Sequence, residues 1–364
     1  MHFVIFGLTI SSSWGNGHAT LWRSLLKAMA QRGHTAHFYE KNVSYYADTR
    51  DGWMPPAGIE LRLYQSLRDV GSEIERDLYS TDVALCTSYC PDGPEAARAI
   101  LDSRATIKAF YDLDTPVTLK AVNADETVPY LPSDGLGAFD LVLSYTGGRA
   151  LTELRTVLGA RRVAPLYGSV DPEAHCPVPP LQEFESGLCY LGTYSADRQA
   201  ALEELFVRTS ERMPGSRFLI GGAQYPDSFP WRKNIFFVRH LPPSLHSAFF
   251  SSARATLNIT RGSMVEYGYC PSGRLFEAAG CGTAILSDWW EGLNTFFSPG
   301  AEILPVRSVE DVENALSLSD SELQAIGTAA RQHTLERHTA FYRVIELEAV
   351  CESALSDESN LALT

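Results

Sequence analysis

Phe3-Val4-Ile5-Phe6-Gly7, then Trp14-Gly15-Asn16-Gly17-His18, then Leu21, Trp22, Leu25, Leu26 and Met29 at helical spacing: the fold is read from this opening. The first five residues form an unbroken apolar run closed by glycine, the pattern of a short strand buried on both faces. The glycine-punctuated loop turns the chain. The apolar residues after it lay one stripe along a helix, which Arg32-Gly33 stops. Thr35 to Tyr39 alternates as a second strand and closes a strand–helix–strand unit. Strand-like runs recur at 82–86, 105–111, 141–144 and 162–165, with helical patterns between several of them. That alternation predicts a parallel sheet covered on both faces.

The texture changes between Tyr167 and Pro180, where Gly168, Asp171-Pro172 and Pro177-Val178-Pro179-Pro180 read as a connector. A second α/β series follows. Strands are expected at 188–191, 217–220, 235–238, 255–259 and 283–287, with helices at 198–211, 245–252 and near 273–279. A last helical segment, about 339–355, is long enough to return to the first domain. The reading therefore divides the chain into a Rossmann-like domain at 1–168, a linker at 169–186, a second Rossmann-like domain at 187–335 and a returning helix at 336–364.

Of the 364 residues, 45% are hydrophobic and 20% charged. That is globular composition, with room for two cores, since single cores stop growing near ~250–300 residues. The formal net charge of −14 argues against nucleic acid as a partner, because such binding depends on Lys and Arg neutralising phosphates. The apolar start has no basic flank and soon meets Ser11-Ser12-Ser13, so no targeting segment is expected. No run approaches the ~20 apolar residues of a spanning helix. Seven cysteines, an odd number with no Cys-x-x-Cys pair, read as reduced thiols. A soluble, cytoplasmic protein is the expectation.

Ligands of open parallel sheets sit at the carboxyl ends of the strands, and three polar clusters fall there. The first is the glycine loop Gly15-Asn16-Gly17 with His18. Its glycines allow close backbone approach, and the helix behind it offers unpaired N–H groups, but the third glycine of a dinucleotide loop is lacking. A tight turn with His18 bonding at the helix start is the plainer reading. The second cluster, Tyr111-Asp112-Leu113-Asp114-Thr115-Pro116, sets two carboxylates one residue apart. They can hydrogen-bond sugar hydroxyls, cap a turn or hold a divalent cation. The third comprises Arg261-Gly262-Ser263 and then Pro271 to Thr283. Within it, Arg274 and Glu277 share one helix face behind Ser272-Gly273. A cation at a helix start suits a diphosphate, and a carboxylate beside it suits the vicinal hydroxyls of a ribose. Alone, the pair also reads as an intrahelical ion pair.

Over nearly its whole length the chain resembles the CgeB-type (spore maturation protein B-like) glycosyltransferases, relatives of the group 1 retaining enzymes. The residues that carry the resemblance are Gly7 to Thr20, Tyr111 to Leu119, Leu166 to Pro172, Tyr190-Leu191-Gly192-Thr193-Tyr194, Pro271 to Thr283, and Ser287-Asp288-Trp289-Trp290. The resemblance implies a GT-B fold: two Rossmann-like domains facing each other across a cleft, with the C-terminal helix packing back on the N-terminal domain. It implies a nucleotide-sugar donor, by default a UDP-sugar, in the second domain and an acceptor of unidentified class on the first. It implies no metal and no cofactor beyond the nucleotide-sugar itself. Glu277 takes the place of the second glutamate of the group 1 signature and is expected at the donor ribose. The first glutamate of that signature is replaced by Tyr269, and Glu266 is out of register with it. Arg198 stands where the group 1 diphosphate lysine is found. It is expected to bind the diphosphate with Arg261 or Arg274, together with the amides near Ser272 and Gly273. His240 and Leu241 are expected at the base. His18, Asp112 and Asp114 are the expected catalytic-side residues. They orient hydroxyls if transfer retains configuration, and His18 or Asp112 takes the acceptor proton if it inverts. Two other classes share such a fold: a nucleotide-sugar epimerase, and a non-catalytic sugar-nucleotide-binding scaffold. Paired aromatics such as Trp289-Trp290, Phe296-Phe297 and Tyr45-Tyr46 read first as packing. Oligomeric state is not legible.

Overall fold

The computed structural model describes residues 1–15 and 17–361, which form two compact units, Met1–Tyr167 with the C-terminal helix, and Gly168–Thr339. In the first unit the order is β1 (His2–Gly7), α1 (His18–Gln31), β2 (Thr35–Lys41), α2 (Ser44–Ala47), β3 (Ile59–Tyr64) and α3 (Gly71–Tyr79). There follow β4 (Val83–Thr87), α4 (Gly93–Leu101), β5 (Ile107–Asp112), α5 (Thr115–Asn123), β6 (Leu141–Ser144), α6 (Arg149–Thr156) and β7 (Val163–Pro165). All seven strands run parallel in the order β3-β2-β1-β4-β5-β6-β7. β1 is an interior strand, in register through Phe3 with Ala36 of β2 on one side and Val83 of β4 on the other. Its Phe3–Phe6 run is buried throughout, as an interior strand under helices on both faces requires.

The second unit begins with β8 (Ser186–Leu191), α7 (Ala196–Leu202), α8 (Arg208–Arg212), β9 (Phe218–Gly222), β10 (Ile235–Arg239), α9 (His246–Ser251) and β11 (Ala253–Asn258). It continues through α10 (Gly262–Tyr267), α11 (Gly273–Gly280), β12 (Ala284–Ser287), β13 (Leu304–Pro305), α12 (Val309–Leu316) and α13 (Asp320–Arg337). Its six parallel strands lie in the order β10-β9-β8-β11-β12-β13. The single helix expected over 198–211 is instead two, joined by one π-helical turn at Glu203–Val207. The wider turn keeps three successive apolar residues, Leu205, Phe206 and Val207, buried where a regular helix would swing one outward. The proline-bearing stretch before β8 is not a free tether. Backbone N–H groups of Cys176, Val178 and Leu181 donate to the hydroxyls of Ser247, Ser251 and Ser252 at 3.4, 3.2 and 2.8 Å.

The last helix, α14 (Ala340–Leu361), belongs to the first unit. Ala340, Val344, Leu347, Cys351 and Ala354 enter the same apolar cluster as Trp22, Leu25 and Met29 of α1. At the rim, Arg32 forks onto the Glu348 carboxylate with two 2.6 Å bonds, and His34 meets it at 2.6 Å. Among the described residues no helix is long and apolar enough to cross a membrane. All seven cysteines are free. Trp290, Phe296 and Phe297 are core residues, while Trp289 and Tyr45 are exposed.

Candidate functional site

In each sheet the strand order reverses beside the first strand, between β1 and β4 and between β8 and β11. Loops leaving two such strands diverge to opposite faces and open a crevice at their carboxyl ends. His18 follows β1 in the first unit, and Arg198 follows β8 in the second.

In the second unit the loop after β8 brings Arg198 inward. It is only 8% exposed, donates from Nη2 to the Thr193 carbonyl at 2.6 Å, and leaves its Nε without a partner among the described residues. Burial, and then the charge of Arg274 beside it, hold its ionisation below the usual arginine range. Arg274, on the first turn of α11, donates from Nη1 to the Leu191 carbonyl at 2.6 Å and from Nε to the Ser272 hydroxyl at 3.2 Å. Two guanidinium groups are therefore gathered at the end of β8, each held by carbonyl or hydroxyl oxygens. Ser272 is the N-cap residue of α11 and makes no side-chain bond to its first amides, and no acidic residue lies in the first turn. Those amides are open to an anion. Arg261, in contrast, is half-exposed and meets Asp197 at 3.3 Å. Burial raises the Asp197 carboxyl, but the Ser195 hydroxyl and Arg261 outweigh it and keep the net shift downward.

Two glycines make this approach possible. A Cβ on Gly192 would stand 2.4 Å from the Arg274 Nη1, and one on Gly222 would stand 2.0 Å from the Gly192 carbonyl oxygen. Glu277, one turn further along α11 and 13% exposed, has its carboxylate 3.8 Å from the His246 Nδ1. Burial above all depresses the His246 pKa, with Glu277 opposing. His240 ends the β10 loop in a left-handed conformation, φ +50°, with its N–H on the Gly222 carbonyl at 2.7 Å, and Leu241 beside it is buried. Tyr269 also has positive φ, +44°, while Glu266 is exposed. Left-handed backbone at bulky residues costs energy and clusters at functional sites.

In the first unit His18 is the first residue of α1, behind Gly17, and Gly15 has φ +67°. Asn16 lies outside the described residues. The His18 Nε2 stands 3.9 Å from the Asp114 carboxylate, and its Nδ1 is buried without a partner among the described residues. Asp112, the last residue of β5, is 0% exposed. Its Oδ1 accepts the Asp114 N–H at 3.1 Å, and its Oδ2 has no partner among the described residues. Burial raises its pKa to about 6, with Thr118 and the Asp114 amide holding it back. Tyr89 was not singled out in the sequence. It packs edge-on against His18 at 5.3 Å and near Tyr130 at 4.9 Å, with φ +62°. Glu40 was missed too. Fully buried at the end of β2, it accepts the N–H groups of Ile10 and Ser11 at 2.7 and 3.0 Å. Its carboxylate thus occupies the amides of Ile10 and Ser11, the stretch that leads from β1 toward the glycine loop.

Over its full length the chain superposes on a sucrose-phosphate synthase from Thermosynechococcus elongatus, covering 100% of both chains with TM-score 0.67 at 12% identity. It superposes on Anabaena Alr3699/HepE in complex with UDP and glucose, covering 97% of this chain and 100% of that one, with TM-score 0.67 at 11% identity. An alpha-glucosyltransferase in complex with UDP and a 13-mer DNA gives TM-score 0.69 at 11% identity, covering 97% of this chain and 99% of the other. The fold is GT-B. A family model described as glycosyl transferase-like matches residues 198–349, a span from Arg198 through α11 into α14. No curated protein sequence matches the chain.

Proposed function

We propose that the chain is a glycosyltransferase that takes a sugar from a nucleoside-diphosphate sugar, with a UDP-sugar as donor. The observation that carries this reading is the pair of buried Arg198 and half-buried Arg274, gathered at the end of β8 beside the uncapped start of α11. Two cations and a helix N-terminus suit a diphosphate leaving group, whose departure without a metal needs fixed positive charge. In this reading Ser272 and Gly273 present amides to the diphosphate and Glu277 accepts the ribose hydroxyls. His240 and Leu241 face the base, and Arg261 adds charge from the rim. The UDP complexes of the Anabaena protein and of the alpha-glucosyltransferase support the choice of nucleotide. No cofactor beyond the nucleotide-sugar is invoked, and no resident metal.

The acceptor belongs to the first unit, around His18, Asp112 and Asp114. During transfer the anomeric C–O bond to the diphosphate breaks, a glycosidic bond to the acceptor oxygen forms, and the acceptor hydroxyl loses its proton. With retention of configuration the leaving phosphate takes that proton, and His18 and Asp112 orient hydroxyls. A second reading, inversion, is favoured by one observation: Asp112 is buried, its Oδ2 has no hydrogen-bond partner among the described residues, and its pKa is raised to about 6, which suits a general base near neutral pH. The anomer of the product, read by NMR, decides between them.

A thermal-shift panel of UDP, GDP, dTDP, ADP and CMP, each with and without EDTA, tests the donor site. A ligand at 100 times its Kd stabilises the folded state by ~2.7 kcal/mol. UDP is expected to raise the melting temperature with or without EDTA, and Arg274→Ala and Glu277→Ala are expected to abolish the shift. Undiminished shifts in both variants would put the donor elsewhere.

A further inference from the structure

The ring of His175 lies in the segment before β8 and is 3% exposed, yet neither of its nitrogens has a hydrogen-bond partner among the described residues. An imidazole always carries at least one N–H, so a sealed ring with two orphan nitrogens marks a place where something else binds. The structure shows what shares that place. The His246 ring, at the start of α9, stands 5.9 Å away centroid to centroid, and its Nδ1 is also buried without a hydrogen-bond partner among the described residues. The Glu277 carboxylate closes the group. One donor atom from each of His175, His246 and Glu277 lies within 4.8 Å of the others.

We propose that His175, His246 and Glu277 form a binding site for a divalent cation of the zinc class. Two imidazoles and a carboxylate match the preferences of such an ion, which takes N and O ligands at ~2.0–2.2 Å. Donors around a tetrahedral ion of that size lie about 3.3 Å apart, so binding draws the three side chains together by small rotations. Three protein ligands leave a fourth position open. The site goes beyond the donor reading but meets it at one residue, since a bound cation takes the carboxylate that a ribose would use. The cation is therefore a competitor of the nucleotide rather than a participant in transfer.

Cobalt(II), added to tag-free protein first stripped with EDTA and dialysed, supplies a spectroscopic probe. Saturable binding of one cobalt per chain is expected, with the visible absorption of a four- or five-coordinate ion. His246→Gln and Glu277→Gln are each expected to weaken it at least tenfold. Both residues are only half-buried, so neither test depends on the buried His175 tolerating replacement. No saturable spectrum, as expected if the orphan nitrogens hold only water, would overturn the proposal. So would a spectrum indifferent to both substitutions. The UDP shift is measured separately on the metal-free protein, so a missing cobalt spectrum and a missing nucleotide shift are distinct failures.

Discussion

Asp112 ends β5 with its carboxyl sealed from water, and ionising it there forgoes hydration that the unfolded chain would supply. Its value of about 6 in the folded protein stands above the ordinary 3.8. Between about pH 4 and pH 6 the folded chain therefore keeps a proton that the unfolded chain has released. Stability falls as pH rises through that window, and the loss is complete above it. The gap corresponds to on the order of 3 kcal/mol. Asp112→Asn removes the ionisable group and keeps an oxygen for the Asp114 amide. Its melting temperature is expected to exceed that of the wild type at pH 8 and to match it near pH 4. Turnover should fall by roughly 10²–10⁴-fold if Asp112 is the base of an inverting transfer, and by less if it only orients a hydroxyl. Melts at the two pH values check the first half, and initial rates check the second. A variant no more stable than wild type at pH 8 would mean that this buried carboxyl is not strained.

At the scale of elements, the donor crevice depends on how closely the ends of β8 and β9 approach. The two glycines there respond to different neighbours. A Cβ at Gly192 meets first the tip of Arg274, a flexible side chain that can swing away, and then the Tyr190 hydroxyl at 3.1 Å, which has to give by a few tenths of an ångström. A Cβ at Gly222 instead meets the Gly192 carbonyl, which cannot move aside. Gly192→Ala is thus expected to melt close to wild type but to lose the UDP shift, because the guanidinium is displaced. Gly222→Ala is expected to lose stability, by about 1–3 kcal/mol for backbone strain of this kind. Calorimetry with and without UDP separates the two, and equal behaviour of both variants would sink the distinction. The same contrast shows what was legible in the sequence. Apolar runs and helical stripes report local burial, so alternating strands and helices gave the two parallel sheets. Arg274 and Glu277 stood out because they share a face near a helix start, and Arg198 because the resemblance places it at the diphosphate lysine. That Arg198 and Arg274 reach the same strand end was not legible, because it depends on the close packing around Gly192. Glu40 looks like any strand-end acid until the loop 10–11 folds over it. Tyr89 carries no sign of its positive φ, and the orphaned ring of His175 follows from a packing between the linker and α9 that no local pattern encodes. Edge strand β3, with Glu60 and Arg62 inside it, lacks the apolar run by which central strands were found.

For the whole molecule the decisive quantity is charge. Thirty Lys and Arg against 44 Asp and Glu leave a net −14, so long-range electrostatics repel a polyanion before any groove is reached. One structural neighbour was solved with UDP and a 13-mer DNA, but at 11% identity what the two chains share is the fold. Binding to duplex DNA rests on phosphate neutralisation, and a protein with 6–10 phosphate contacts loses ~10³–10⁵ in affinity between 50 and 200 mM salt. This chain is expected to show no saturable binding to a labelled 13-mer duplex below about 100 µM, even at 50 mM salt, whether or not UDP is present. Fluorescence anisotropy measures it directly. Micromolar binding that collapses at 200 mM would reveal a local basic surface able to overcome the global charge, and would return nucleic acid to the classes of acceptor. Flat anisotropy at both salts leaves neutral or weakly charged hydroxyl compounds as the acceptors to be tried against the Asp112 side, where buried and half-buried carboxylates would also repel a phosphate.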